Sequence, residues 1–155
     1  MLFWHGFIKQ KLSGINFIVQ FNPEEEAAFR LADLGISWHM LADGDEAGIR
    51  YIHGARRLLS EEHQHGGGLT LLPNRDIEHF LYMHGFADVY RREAALRDLH
   101  NLPANKIIER AVSRRSKPGM ALAVIEEAMQ RGVDSVPSLL KNMFDRVIDL
   151  ARQQA

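Results

Sequence analysis

The sequence predicts an α/β domain with a parallel sheet, followed by a helical region, and three observations predict it. Short runs rich in β-branched, aromatic and other apolar residues, at 15–21, 36–42 and 69–72, alternate with helical patterns at 23–34 and 46–60. The order strand, helix, strand, helix, strand requires right-handed crossovers, and hence parallel pairing. From residue 74 onward only helical patterns remain. On this basis residues 1–85 form the α/β core and residues 86–155 a helical extension packed on the same domain.

Length and composition bound the rest. At 155 residues, with 46% hydrophobic and 25% charged residues, the chain suits one domain with a real core. A formal net charge of −1 gives no global case for nucleic acid, so such a case must rest on a local patch. The absence of Cys excludes disulfides, thiolate zinc sites and Cys nucleophiles, and fits a reducing compartment. Residues 1–12 are too short and too polar to span a membrane. A cytoplasmic, membrane-free domain is expected.

The elements follow in order. Leu2, Phe3, Phe7, Ile8 and Leu12 recur at helical spacing before Ser13-Gly14. Ile15 to Phe21 reads as a strand. Asn22-Pro23-Glu24-Glu25 opens a helix with a cap, a proline and first-turn acids, and Ala27, Ala28, Leu31 and Leu34 form its buried face up to Gly35. The next strand stops abruptly at Asp43-Gly44-Asp45. A helix then runs from Glu46 to about residue 60, with Ile49, Ile52, Ala55 and Leu59 on one side. The polar stretch 61–68, ending in three glycines, is a loop. Leu69 to Leu72 is a third strand. Asn74 or Asp76 caps a helix that Gly85 ends, and further helices are expected at 88–99, 104–113, 118–130 and 136–152. The last shows the clearest face: Val136, Leu139, Leu140, Met143, Phe144, Val147 and Ile148.

Chemistry concentrates at the strand ends. In an open parallel sheet, ligands gather at the carboxyl edge. Asp43 and Asp45 would place two carboxylates there, and a hard divalent cation relieves their repulsion. The competing reading is a plain turn in which Asp45 caps the next helix. A calcium loop starting at Asp43 is excluded, because its bidentate glutamate would fall on Gly54. Arg75-Asp76-Ile77-Glu78-His79 follows another strand end, where a carboxylate completes a metal sphere or simply serves the helix dipole. Arg110, Arg114, Arg115 and Lys117 form the densest basic cluster, with Ser113 and Ser116 among them. Ser116, Lys117 and backbone N–H groups at a helix start suit a phosphate, and a solvated face is the alternative. His63 and His65 sit in the glycine-rich loop without partner ligands in sequence. There is no phosphate-binding P-loop and no serine nucleophile elbow. The lack of a glycine-rich phosphate loop also counts against a Rossmann-like nucleotide binder.

Four motifs occur together: Ser37-Trp38-His39-Met40-Leu41-Ala42-Asp43-Gly44-Asp45-Glu46-Ala47-Gly48, Leu72-Pro73-Asn74-Arg75-Asp76-Ile77-Glu78-His79-Phe80-Leu81-Tyr82, Ser116-Lys117-Pro118 and Arg131-Gly132-Val133-Asp134-Ser135-Val136-Pro137. In this order they resemble the C-terminal Toprim domain of the overcoming-lysogenization-defect (OLD) family of ATP-dependent endonucleases. The resemblance implies a Toprim fold that cleaves DNA phosphodiesters with Mg²⁺ or Mn²⁺. Asp43 and Asp45 match the family's metal-binding pair. Glu78 matches its later acidic position, as metal ligand and catalytic group, with Asp76 nearby. Lys117 matches the catalytic lysine. Family members carry an ATPase domain upstream and a first Toprim strand ending in Glu-Gly-x-x-Glu. This chain is expected to begin just after that motif, and therefore to show weak or no cleavage alone and to self-associate or recruit another segment. The alternative is a non-catalytic remnant that binds divalent metal, nucleic acid or a partner protein.

Overall fold

A computed structural model of the chain describes residues 39–58, 68–95 and 102–153. The readings made for 2–12, 15–21 and 23–34, and for the loop with His63 and His65, lie outside the described residues. What is described is mostly helical with a two-stranded parallel sheet, an arrangement compatible with the α/β class. The chain divides into two compact units, residues up to Arg75 together with those from Asn142, and Asp76–Lys141. Among the described residues no helix is long and apolar enough to cross a membrane.

In the first unit, strand β1 (Met40–Ala42) pairs in parallel with β2 (Leu69–Leu71), Met40 opposite Leu69 and Ala42 opposite Leu71. Backbone bonds from Met40 N to Gly68 O (2.7 Å) and from Leu72 N to Ala42 O (2.9 Å) extend the ladder at both ends. His39 Nε2 meets Thr70 Oγ1 at 2.8 Å across the pair. Helix α1 (Glu46–Leu58) lies on the crossover between the strands, as parallel pairing demands. Its Ile52 and Ala55 are buried as the periodicity predicts, whereas Ile49 is 40% exposed. The expected apolar face thus starts one turn later, because Ile49 belongs to the first turn, at the edge of that face.

The turn between β1 and α1, and the first turn of α1 itself, leave no space for side chains at Gly44 and Gly48. A Cβ on Gly44 would stand 2.4 Å from the carbonyl oxygens of Leu72 and Asn74, and one on Gly48 1.8 Å from the carbonyl oxygen of Asp43. Gly44 N donates to Asn74 O at 2.9 Å, which holds the two strand ends together. The Asp-Gly-Asp-x-x-Gly pattern is therefore first a packing requirement. Gly48→Ala is expected to destabilise the chain by about 1–3 kcal/mol through enforced backbone displacement, measured by denaturant unfolding.

The second unit is built on helices α2 (Ile77–Leu81), α3 (Ala87–Ala94) and α4 (Ala104–Arg131). A π-type turn at Tyr82–Phe86 links α2 to α3; Gly85 there takes φ 112°, which ends the helix where the sequence places its stop. Helix α3 is shorter than the expected 88–99: Ala95 adopts a left-handed φ of 49° and stops it. Val89, Tyr90 and Ala94 of α3 and Ile107, Ile108, Ala111, Met120, Ala123 and Val124 of α4 are buried, with Phe80 and Phe86 beside them in the sequence of core residues. Ion pairs flank this packing. Arg92 reaches Glu127 at 3.0 Å, and Arg131 binds Glu127 (2.8 Å), the Gly85 carbonyl (2.7 Å) and Asp88. The Arg131 guanidinium also lies 5.5 Å from the centre of the Phe86 ring.

The two helices expected at 104–113 and 118–130 are the two segments of α4, separated only by a break at Ser116 (φ 67°, ψ 163°). Pro118 explains the break: it has no N–H to continue the ladder, and its ring collides with the preceding turn. Ser116 then starts the second segment as an N-cap, its Oγ accepting from Gly119 N at 3.3 Å. After a 3₁₀ turn at Val133–Ser135, helix α5 (Ser138–Gln153) opens on Pro137, whose carbonyl accepts from Leu140 and Lys141. Its Leu140, Met143 and Val147 are buried, as its periodicity predicts.

Ser116 occupies backbone territory almost reserved for glycine, a conformation that costs about 1–3 kcal/mol in other residues. Two substitutions separate that strain from the cap. Ser116→Ala keeps the strain and loses the cap, and is expected to cost about 0.5–2 kcal/mol. Ser116→Gly sheds the strain and loses only a few tenths of a kcal/mol of capping, so it is expected to be neutral or stabilising in thermal unfolding.

Candidate functional site

The candidate residues fall into one group in each unit. In the first, Asp43 and Asp45 directly follow the carboxyl end of β1, with Gly44 fastened to Asn74. Asp45 is an exposed residue whose Oδ1 accepts from Gly48 N at 2.7 Å, so one of its oxygens serves as the cap of α1. The capping reading of Asp45 is thus realised, and it commits one carboxylate oxygen. Asn74 contributes an amide oxygen, Oδ1, that is buried and has no hydrogen-bond partner among the described residues. Sequence reading weighed Asn74 only as a helix cap; its place beside Gly44 becomes visible only once the strand ends are brought together.

In the second unit, Asp76 is the residue that caps α2. Its Oδ1 accepts from His79 N at 2.8 Å and meets His79 Nδ1 at 2.6 Å. Glu78, one residue into that helix, is 7% exposed, and among the described residues no other charged side chain is buried. Its Oε1 lies 3.1 Å from Lys117 Nζ, the ammonium of the residue that follows the Ser116 break. Two motifs far apart in sequence therefore meet. The Lys117 side chain is 70% exposed, so the buried carboxylate meets a cation that comes from the solvent side.

Tyr90 lies in the same unit, almost wholly buried. Burial pushes its phenol well above the ordinary 10.0, and the negative charges of Glu78 and then Asp76 push in the same direction. The pairing of His79 with Asp76 was not among the expected site contacts; the spacing Asp-x-x-His at a helix start is the signal that could have found it.

The basic cluster behaves differently from its expectation as a phosphate cradle. Arg115 Nε binds Glu93 Oε2 at 2.6 Å, and Arg114 Nε donates to the Glu93 carbonyl at 3.2 Å. The Glu93 hydrogen bond holds the Arg115 guanidinium above its ordinary pKa. Hydrogen bonds from Arg131 and then Arg92 hold Glu127 below the usual carboxylate range. Ser116 Oγ is engaged by Gly119, leaving Lys117 as the member of the cluster that faces a buried acid.

The donors suit a hard cation in chemistry: they are oxygens, and Mg²⁺ typically takes one or two carboxylates and keeps several waters. Lys117 Nζ already sits where a cation is accepted by Glu78. Among the described residues, however, no group of three or more His, Asp or Glu side chains is gathered as a metal cage.

The uncharacterized protein YbjD of Escherichia coli (strain K12) is 51% identical over 128 residues, covering 79% of this chain and 22% of that protein. The chain thus spans about a fifth of the length of this curated relative. No family model matches the sequence. No solved structure matches it either.

The Tyr90 environment has a measurable consequence. A raised pKa means the folded chain holds the phenolic proton more tightly than the unfolded chain does. The resulting stability is fully present below pH 10.0 and is lost as pH rises through the raised value. Phenolate absorbance of wild type minus Tyr90→Phe is expected to show one tyrosine that ionises only with unfolding. A Tyr90 that titrates near its ordinary value in the folded chain would contradict the burial argument.

Proposed function

We propose that this chain is a Toprim-type nuclease domain of the OLD family, cleaving DNA phosphodiesters with Mg²⁺ or Mn²⁺. The observation that carries the reading is the 3.1 Å pair of Lys117 with buried Glu78, which unites the two motif residues expected to act in catalysis. The position of Asp43-Gly44-Asp45 at the carboxyl end of a parallel strand supports it, since ligands of open α/β sheets collect at that edge. A bound divalent cation supplies Lewis-acid stabilisation of a phosphate under attack. Asp43 and Asp45 are the carboxylates assigned to hold it, and Asp45 has one oxygen left after capping α1. Glu78, buried in α2 of the second unit, matches the family's later acidic position. Lys117 brings positive charge to a non-bridging oxygen as charge develops there. Asp76 is a cap for α2 and an anchor for His79, so it positions the start of that helix.

A second reading has its own observation. Glu93 engages both Arg114 and Arg115, and Asp45 and Asp76 cap helices, which are structural uses of residues that a nuclease would direct at its substrate. This favours a module that binds metal, nucleic acid or a partner protein without cutting.

Two measurements separate the readings. Titration with Mn²⁺ is expected to broaden the NMR signals of residues 42–47 and to spare α5; unchanged spectra at saturating Mn²⁺ would remove Asp43 and Asp45 from the site. With an upstream strand bearing Glu-Gly-x-x-Glu supplied, since weak or no cleavage is expected of the chain alone, Lys117→Met is expected to slow Mn²⁺-dependent nicking of supercoiled plasmid by about a hundred- to a thousandfold, the usual cost of losing one transition-state charge donor. A chain so supplied that binds Mn²⁺ at Asp43 and Asp45 but never nicks, with or without Lys117, is the non-cutting module.

A further inference from the structure

Asn74 carries a buried acceptor with nothing to accept from. Its amide oxygen, Oδ1, is met by no hydrogen-bond donor among the described residues. A buried acceptor left in this state costs free energy, and in a folded chain such an atom marks the place of a water or an ion. The main chain fixes where Asn74 lies. Its carbonyl oxygen accepts from Gly44 N at 2.9 Å, and a Cβ on Gly44 would stand 2.4 Å from that same oxygen. This close approach is made at the middle of Asp43-Gly44-Asp45, so Asn74 lies beside the residue that separates the two carboxylates. Asp43 Oδ1 is a buried atom too, and Asp45 keeps one oxygen after capping α1. All three residues belong to the first unit.

We propose that Asn74 is a third, neutral ligand, acting through Oδ1, of the divalent cation assigned to Asp43 and Asp45. The inference rests on the reading of that pair as a metal site, and adds a residue that the acids alone do not reveal. An amide oxygen is a hard donor of the kind that Mg²⁺ and Mn²⁺ accept. It cannot donate, so beside carboxylates it is satisfied by a cation or a water and by nothing acidic in its ionised form. It also carries no charge. The two aspartates already balance a divalent ion, and a third carboxylate would add repulsion in the metal-free chain. Among the described residues no three acids are gathered, but two carboxylates and an amide suit a cation that uses one or two carboxylates and keeps several waters.

The test reads Mn²⁺ affinity from broadening of the amide signals of residues 42–47 in wild type, Asn74→Ala and Asn74→Asp. Thermal unfolding of each protein is followed with and without Mn²⁺. Asn74→Ala keeps the main-chain bond to Gly44 and is expected to bind Mn²⁺ about tenfold more weakly. Its midpoint without metal is expected to be unchanged or raised, because an unsatisfied acceptor has been removed. Asn74→Asp is expected to bind Mn²⁺ about tenfold more tightly through its added ligand charge. Without metal it should unfold at a lower temperature than wild type, and Mn²⁺ should raise its midpoint by more. A gain in affinity cannot come from a damaged fold. If residues 42–47 broaden in wild type but Asn74→Asp binds no more tightly, or Asn74→Ala loses stability and keeps its affinity, the proposal is overturned while Asp43 and Asp45 remain metal ligands. If wild type does not broaden there at all, the reading of the pair falls, and the role of Asn74 falls with it.

Discussion

The buried carboxylate of Glu78 is the constraint around which the second unit is arranged. A negative charge in a helix that also contributes Phe80 and Leu81 to the core is tolerated only with a cation at hand, and Lys117 is that cation. Its delivery depends on the break in α4, which depends in turn on Pro118. Burial of Tyr90 discourages its ionisation, and the charge of Glu78, then that of Asp76, pushes in the same direction. The break set by Pro118 and the pairing of the buried Glu78 thus meet at one residue, Lys117.

Charge elsewhere in this unit is largely balanced in place. Glu93 and Glu127 each accept from two arginines or their neighbours across α3 and α4, and Asp88 and the Gly85 carbonyl share Arg131. Sequence inspection sees Arg110, Arg114, Arg115 and Lys117 as one basic run. In space Arg114 and Arg115 are engaged by Glu93, and Lys117 is the cation on Glu78. A nucleic-acid surface here would have to use a few directed charges, not a broad positive field, in keeping with a net charge of −1.

What the sequence makes legible is local. Parallel pairing of residues 40–42 with 69–71, the capping roles of Asp45 and Asp76, the stop at Gly85, the two-part helix around Pro118 and the apolar face of α5 all follow from short-range rules of capping, turn chemistry and periodicity. The early end of α3 at Ala95 escaped those rules, because alanine carries no stop signal and rarely takes the left-handed φ it has here. Ile49 was misassigned because periodicity marks a face without saying where it ends. The partners of Arg115, Arg131 and Lys117 lie far along the chain, and no spacing rule reaches them. The motif residues were visible as types and positions, but the engagement of Asp45 and of His79 by neighbouring groups required the backbone.

The turn at Gly85 leaves one further consequence. Where the helix is interrupted, a carbonyl that would have accepted a backbone N–H turns instead to Arg131. The guanidinium substitutes for a missing turn of main chain while it also binds two carboxylates and covers the Phe86 ring. Only a planar fork with several donors in fixed directions can serve four acceptor surfaces together, and a lysine has neither the plane nor the reach in two directions. The Arg-Gly sequence at the end of α4 is therefore a piece of secondary structure written in a side chain, and a change as mild as arginine to lysine would take part of that support from a turn distant from it in the chain.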